Sequence, residues 1–223
     1  MLPTISSTRP YDGPLGKGTF STDLQVLNKA EHDCLTRLEL SFELQLDGAE
    51  EVNVGFCIAF IVDKTLTKAG GAKGGRRRRW ITELLRDVYD ESEVAKLMRA
   101  LFNRGGARRP ALRPFAAQLQ GGRLCQLDTF IVEPQFRGGN GIGAMCLDSF
   151  HALLPRLGGR MAYSGTVVLS PGMPEICAAD FPGVENLAAG KKLVQFYSRC
   201  GYQLYTGPKD DDDETRFIMG RTV

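Results

Sequence analysis

The sequence predicts an α/β domain built on a mixed sheet, and three observations predict it. Apolar and polar residues alternate without a fault over residues 38–46, so that Leu38, Leu40, Phe42, Leu44 and Leu46 face one way. A glycine-rich stretch over 138–143 joins a short apolar strand to a helical stripe. Strands and helices then alternate to the end of the chain, an order that layers helices on a sheet.

Residues 1–21 are rich in Pro, Gly, Ser and Thr and carry no period, which reads as a flexible N-terminal tail ahead of a domain over 22–223. After the 38–46 strand, Asp47-Gly48 turns the chain into a more buried strand over 52–62, and the two read as an antiparallel hairpin. Residues 64–122 form a basic loop and helical insert. Glycines at 70, 71, 74 and 75 precede Arg76, Arg77, Arg78 and Arg79, and Ile81, Leu84, Leu85 and Val88 then recur at helical spacing. Ser92 is placed as the N-cap of a second helix with Val94, Leu97, Met98, Leu101 and Phe102 on its stripe, and residues 105–114 break structure again. A strand over 124–132 stops at Pro134, and the glycine stretch opens a helix with Ile142, Met145, Cys146, Phe150 and Leu153 on one face. A buried strand over 166–169 follows. A last helix carries Leu193, Phe196, Tyr197 and Cys200 and ends at Gly201, and short strands over 202–205 and 216–219 flank an acidic loop over 210–214.

The overall charge of +2 hides an asymmetry. Residues 64–114 carry fourteen Lys and Arg against five Asp and Glu, a local +9 set against −7 elsewhere. The basic run at 76–79 is compatible with a nuclear-import signal or a nucleic-acid contact, but no aromatic residues interleave with it as a single-strand reader requires, and a Gly-flanked run is by default a solvated loop. The six cysteines are spread evenly with no C-x-x-C pair, and with two histidines in the chain no metal site is expected. His151 and His32 suggest no role. No apolar run approaches the roughly 20 residues of a membrane helix, and no secretory signal is evident at the N-terminus. The expectation is therefore a cytoplasmic protein without a membrane partner, nuclear if the run at 76–79 is an import signal.

The informative segment is Val132-Glu133-Pro134-Gln135-Phe136-Arg137-Gly138-Gly139-Asn140-Gly141-Ile142-Gly143. Four glycines before a helix let the backbone approach an anion, whose oxygens the unpaired helical N–H groups can bind. A tight strand-to-helix turn that binds nothing is the alternative, although four glycines cost more chain entropy than a turn requires. Gly139, Gly141 and Ala144 satisfy G-x-G-x-x-A, but Pro134 to Arg137 separate them from the strand and no acid follows about 20 residues on, so a dinucleotide site is not supported.

This segment resembles the acetyl-CoA motif of the GNAT superfamily of N-acetyltransferases. Lys192-Leu193-Val194-Gln195-Phe196-Tyr197-Ser198-Arg199-Cys200-Gly201-Tyr202 resembles the same family's closing helix. The resemblance covers residues 52–223 and is strongest from Leu124 onward. It implies a GNAT-like, mostly antiparallel sheet flanked by helices, with the helical segment inserted between the second and third recognised strands. It also implies acetyl transfer from acetyl-CoA, the co-substrate, to an amine acceptor on a small molecule or a protein. Gly138, Gly139, Asn140, Gly141, Ile142 and Gly143 would cradle the pyrophosphate, with Arg137 one residue earlier than the family's basic position. Phe130, Ile131 and Val132 would pair with pantetheine amides where neighbouring strands splay. Tyr197 matches the proton donor to the leaving thiolate, or is a packed core aromatic. Asp128, which interrupts an apolar strand, is the candidate general base, or a hydrogen-bonded strand Asp. A CoA-binding module without turnover and a nucleic-acid adaptor acting through the basic insert stand as alternatives.

Overall fold

Alternating side chains drive the first part of the chain into an antiparallel meander. The structure is a computed structural model of the 223-residue chain and describes residues 4–27, 34–65, 80–86, 92–172, 186–207 and 217–223. Thr4–Gly13 (β1), Gly16–Leu27 (β2), Leu35–Leu46 (β3) and Glu51–Asp63 (β4) pair in sequence order. The hairpin expected of β3 and β4 is present, as is its turn at Asp47-Gly48.

Residues 4–21 are not a loose tail. They lie almost entirely in β1 and the start of β2, and Arg9 reaches across to donate to the carbonyl of Met145 at 2.7 Å. Phe20, Leu24 and Val26 are buried while Ser21, Asp23 and Gln25 are not, which is the period of a half-buried strand. Pro10 sits on this outer strand, where a residue without an N–H costs no ladder bond if it faces outward.

Trp80–Arg86 (α1) and Glu93–Leu101 (α2) follow, and the Ser92 hydroxyl caps α2 by accepting from the Ala95 N–H at 3.1 Å. Residues 105–114, expected to break structure, hold a 3-10 turn over Pro110–Phe115 that leads into Ala116–Leu119 (α3) and buries Leu112 and Leu119. Proline at the start of a helical turn loses no intrahelical bond, which is why Pro110 opens the segment rather than ending it. Then come Arg123–Val132 (β5), Ile142–Leu153 (α4), Thr166–Leu169 (β6), Asn186–Arg199 (α5), Gln203–Thr206 (β7) and Ile218–Thr222 (β8).

The eight strands form one sheet in the order β1-β2-β3-β4-β5-β6-β8-β7. Every pairing is antiparallel except β5 with β6. The result is an α/β fold on a mostly antiparallel open sheet, with apolar layers on both faces. Cys57, Ala59, Cys125 and Leu127 face a large core with α4 and α5, whereas Val62, Leu124, Val168 and Ile218 face a smaller one with α1 and α2. Four of the five described cysteines are buried, as expected of packing residues. Among the described residues no helix is long and apolar enough to cross a membrane. The basic run at 76–79, the acidic loop at 210–214, His32 and Cys177 lie outside the described residues.

Candidate functional site

The site is built where β5 leaves the sheet. On one edge β5 stays paired to β4 along its length, from Arg123 opposite Asp63 to Val132 opposite Gly55. On its other edge it pairs in parallel with β6 only at Cys125 and Gln126. β6 ends at Leu169, so Leu127 to Val132 have no β6 partner among the described residues; along that edge the Val132 carbonyl is held by Arg137, and the Ile131 carbonyl turns toward β4. Phe130, Ile131 and Val132 belong to that stretch. Phe130 lies against the α4 and α5 layer, its ring stacked on Phe196 with 7° between planes and 6.4 Å between centroids.

The chain leaves β5 through a short 3-10 turn at Pro134–Phe136 and enters the glycine loop. Gly138, Gly139 and Gly141 hold φ of 91°, 104° and 81°, a left-handed region that disfavours any residue with a Cβ. A Cβ at any of the three would meet no protein atom within 4 Å, so the space in front of the loop is open. The Asn140 side-chain oxygen accepts from the Ile142 N–H at 3.1 Å and fixes the approach to α4. The Met145 N–H already turns back to the Gly141 carbonyl, leaving the N–H groups of Gly143 and Ala144 in the first turn without an intrahelical acceptor. Gly143 does a different job. A Cβ there would stand 3.3 Å from the Phe196 ring, so this glycine lets α5 pack closely on α4. Arg137 lies at the start of the loop, and its Nε donates to the Val132 carbonyl at 2.6 Å.

Asp128 occupies a β-bulge. Ile58 pairs with Thr129 and Ala59 with Leu127, so Asp128 is the extra residue that β4 does not match. Its carboxylate accepts from Gln126 Nε2 at 3.3 Å and from Thr129 Oγ1 at 3.2 Å. Burial pushes its acidity toward higher pKa; the Thr129 hydrogen bond opposes the shift, and Glu93 at the start of α2 adds to it. Arg37 of β3 pulls the other way. Bulges often re-aim a side chain beside a working site, and this one turns a carboxylate toward the α1 and α2 side at the point where β5 loses β6.

Tyr197 of α5 is 7% exposed and packs edge-on against both Phe196 and Tyr202. Burial raises its pKa far above the ordinary phenol value, so its proton is firmly held at neutral pH. It lies near Cys57, which pairs with Phe130. Tyr197 and Asp128 therefore approach the same unpaired part of β5 from opposite faces of the sheet. Tyr202 also closes a buried contact with His151, whose Nε2 is 2.8 Å from the Tyr202 hydroxyl.

Sequence reasoning missed the residues that surround Asp128. Gln126, Glu93 and Arg37 come from three separate elements, and no local pattern in the chain connects them. Compared with known proteins, the chain matches no family model, no curated protein and no solved structure.

Proposed function

We propose that the protein is an acetyl-CoA-dependent N-acetyltransferase of GNAT type. One observation carries the reading: the glycine loop, with open space before three left-handed glycines, follows across one short turn a strand whose edge loses its parallel neighbour. An anion seated at the loop would meet the free N–H groups of the first turn of α4 and the favourable end of its dipole. The pantetheine amides would hydrogen-bond the groups of the Phe130, Ile131 and Val132 stretch that face away from β4, other than the Val132 carbonyl that Arg137 holds, as an added strand does. Support also comes from the sheet, whose single parallel pair lies where the resemblance requires strands to part.

In the reaction the free amine nitrogen attacks the thioester carbonyl carbon, and the tetrahedral adduct collapses with cleavage of the C–S bond. Asp128, raised in pKa and partly open, accepts the ammonium proton. Tyr197 offers its held proton to the departing thiolate from the opposite face. A backbone N–H on the open β5 edge polarises the carbonyl, and its fixed dipole needs no reorganisation during the step. One observation favours a second reading, a CoA-binding module without turnover: Tyr197 is packed within the main core as an aromatic structural residue would be.

Titration calorimetry with acetyl-CoA tests the first claim, and binding in the micromolar range is expected. Absence of binding at near-millimolar ligand would overturn both readings. Thiol release in the presence of an amine panel then separates enzyme from module.

A further inference from the structure

The segment that leads into β5 carries charge of one sign. Residues 94–122 hold six Lys and Arg and no Asp or Glu. The fold gathers the arginines of this segment onto one knuckle. α2 ends at Leu101 and the chain turns back at once: Phe102 and Arg108 form an antiparallel bridge around a loop in which the Asn103 N–H donates to the Ala107 carbonyl at 2.8 Å. The Asn103 side-chain oxygen pins the loop from inside, accepting from the Gly105 N–H at 2.9 Å and the Ala107 N–H at 3.1 Å. Arg109 then returns to the end of α2. Its backbone N–H donates to the Leu101 carbonyl at 3.0 Å and its Nε–H to the Arg99 carbonyl at 2.7 Å. The 3-10 turn over Pro110–Phe115 starts there and carries Arg113. Arg104, Arg109 and Arg113 are all exposed.

A second observation is that no described carboxylate neutralises this charge. None of Arg104, Arg108, Arg109 and Arg113 forms an ion pair with a described residue, and Nε of Arg108 has no hydrogen-bond partner. Capping α2 uses one of the five N–H donors of Arg109. Like charges held together on a rigid segment repel one another, and a partner that brings negative charge relieves the repulsion.

The surroundings narrow that partner. Guanidinium forks fit phosphate oxygens two at a time. A single strand would stack its bases on free aromatic faces, but the aromatic rings here are engaged with one another. Trp80 and Phe102 are buried and meet edge-on with 5.3 Å between centroids, and Phe115 stacks on Tyr205 at 4.2 Å. A membrane surface would take up exposed apolar side chains, and the large ones, Leu15, Val52, Leu187 and Leu204, all lie outside this segment. An acidic peptide pays to be ordered on binding, whereas a duplex presents its charges on a ladder that is already rigid.

We propose that this arginine knuckle binds double-stranded nucleic acid through its phosphates, without reading sequence. The knuckle precedes the start of β5 and the glycine loop follows its end, so the 10 residues of that strand, roughly 30 Å, separate the two. The inference therefore does not depend on the acetyltransferase reading.

The test is fluorescence anisotropy of the full chain with a labelled duplex of about 20 base pairs, as DNA and as RNA, between about 50 and 200 mM salt. At least one duplex should bind in the micromolar range at the low-salt end, with log K falling against log salt at a slope of about −2 to −4, roughly 0.9 for each phosphate contacted. Arg104→Gln, Arg109→Gln and Arg113→Gln together should weaken binding at least about tenfold and flatten the slope by about 2. Arg104→Lys, Arg109→Lys and Arg113→Lys together should keep most of the slope, with circular dichroism confirming both folds and residues 76–79 native throughout. An unchanged slope in the glutamine variant places the binding elsewhere and overturns the proposal. So does failure of the native chain to bind either duplex, or equal affinity for a single strand of the same length, for poly-glutamate or for anionic phospholipid vesicles. Those native-chain comparisons decide the question even if the glutamine variant fails to fold.

Discussion

Arg137 donates its Nε–H to the carbonyl oxygen of Val132 at 2.6 Å, tying the entrance of the glycine loop to the end of the strand it leaves. The bond spans the turn at Pro134–Phe136 and fixes where the loop begins relative to the open β5 edge. Arg137 thus positions the glycine loop whatever else its guanidinium touches. Arg137→Gln should weaken acetyl-CoA binding about tenfold, and calorimetry reads the change. A charge-assisted bond of this kind contributes about 1.5–3 kcal/mol, of which part will appear as a lower melting temperature.

Gly141 and Gly143 separate binding from packing. Gly141→Leu forces a left-handed φ of 81° on a branched side chain and fills open space before the loop, so acetyl-CoA binding should be lost. Gly143→Ala instead presses a methyl on Phe196, where 3.3 Å is available, so its effect should fall on stability and leave acetyl-CoA binding within about twofold. Denaturant melts with and without acetyl-CoA distinguish the two.

The pH dependence of turnover should follow Asp128. Its carboxylate must be ionised to take a proton, and burial has raised its pKa above the ordinary aspartate value of about 3.9. The rate, as kcat/KM against an amine acceptor, should therefore fall as pH drops through that raised value. Asp128→Asn should lower the rate by about two to four orders of magnitude and remove this acidic limb. A limb that persists unchanged in the variant belongs to another group.

His151 predicts a different pH effect, on stability. Burial, with Arg221 adding to it, lowers its pKa from 6.5 to about 3. The unfolded chain then binds a proton that the folded chain refuses between those two values. Stability from this residue is complete above pH 6.5 and declines as pH falls toward 3, with a slope approaching about 1.4 kcal/mol per pH unit. His151→Gln should flatten that part of the curve in urea titrations at successive pH values, beyond any constant loss from the contact with Tyr202.

Tyr197→Phe removes the hydroxyl and leaves the ring packed against Phe196 and Tyr202. Thiol release should slow by about two orders of magnitude while acetyl-CoA affinity stays within twofold. Normal turnover would assign Tyr197 to packing.

Most of the second half of the fold was legible because its patterns are strong and local. The strands at 166–169 and 124–132 and the helices bearing Phe150 and Tyr197 follow from apolar runs bounded by Pro and Gly. The first two strands were not recognised. β1 is an outer strand with Ser6, Ser7 and Thr8 along it, so half of its pairing and little apolar contrast mark it. The alternation of Phe20, Leu24 and Val26 was the available signal, obscured by the glycines and proline just before it. Gly143 was legible as a glycine but not as a packing residue, since its reason, Phe196, lies on another helix.

Periodicity and glycine placement in this chain suffice to specify strands, helices and a loop able to meet an anion, because those are preferences of neighbouring residues. Three features arise only when distant segments are brought together. β6 stops short of the end of β5 and leaves an edge open. The bulge turns Asp128 to the face that Gln126, Glu93 and Arg37 share. The sheet register sets Thr129, Ile58, Glu39 and Gln25 in one row across four strands. Strand register and the desolvation of buried groups are collective quantities, and no short stretch of the chain encodes them.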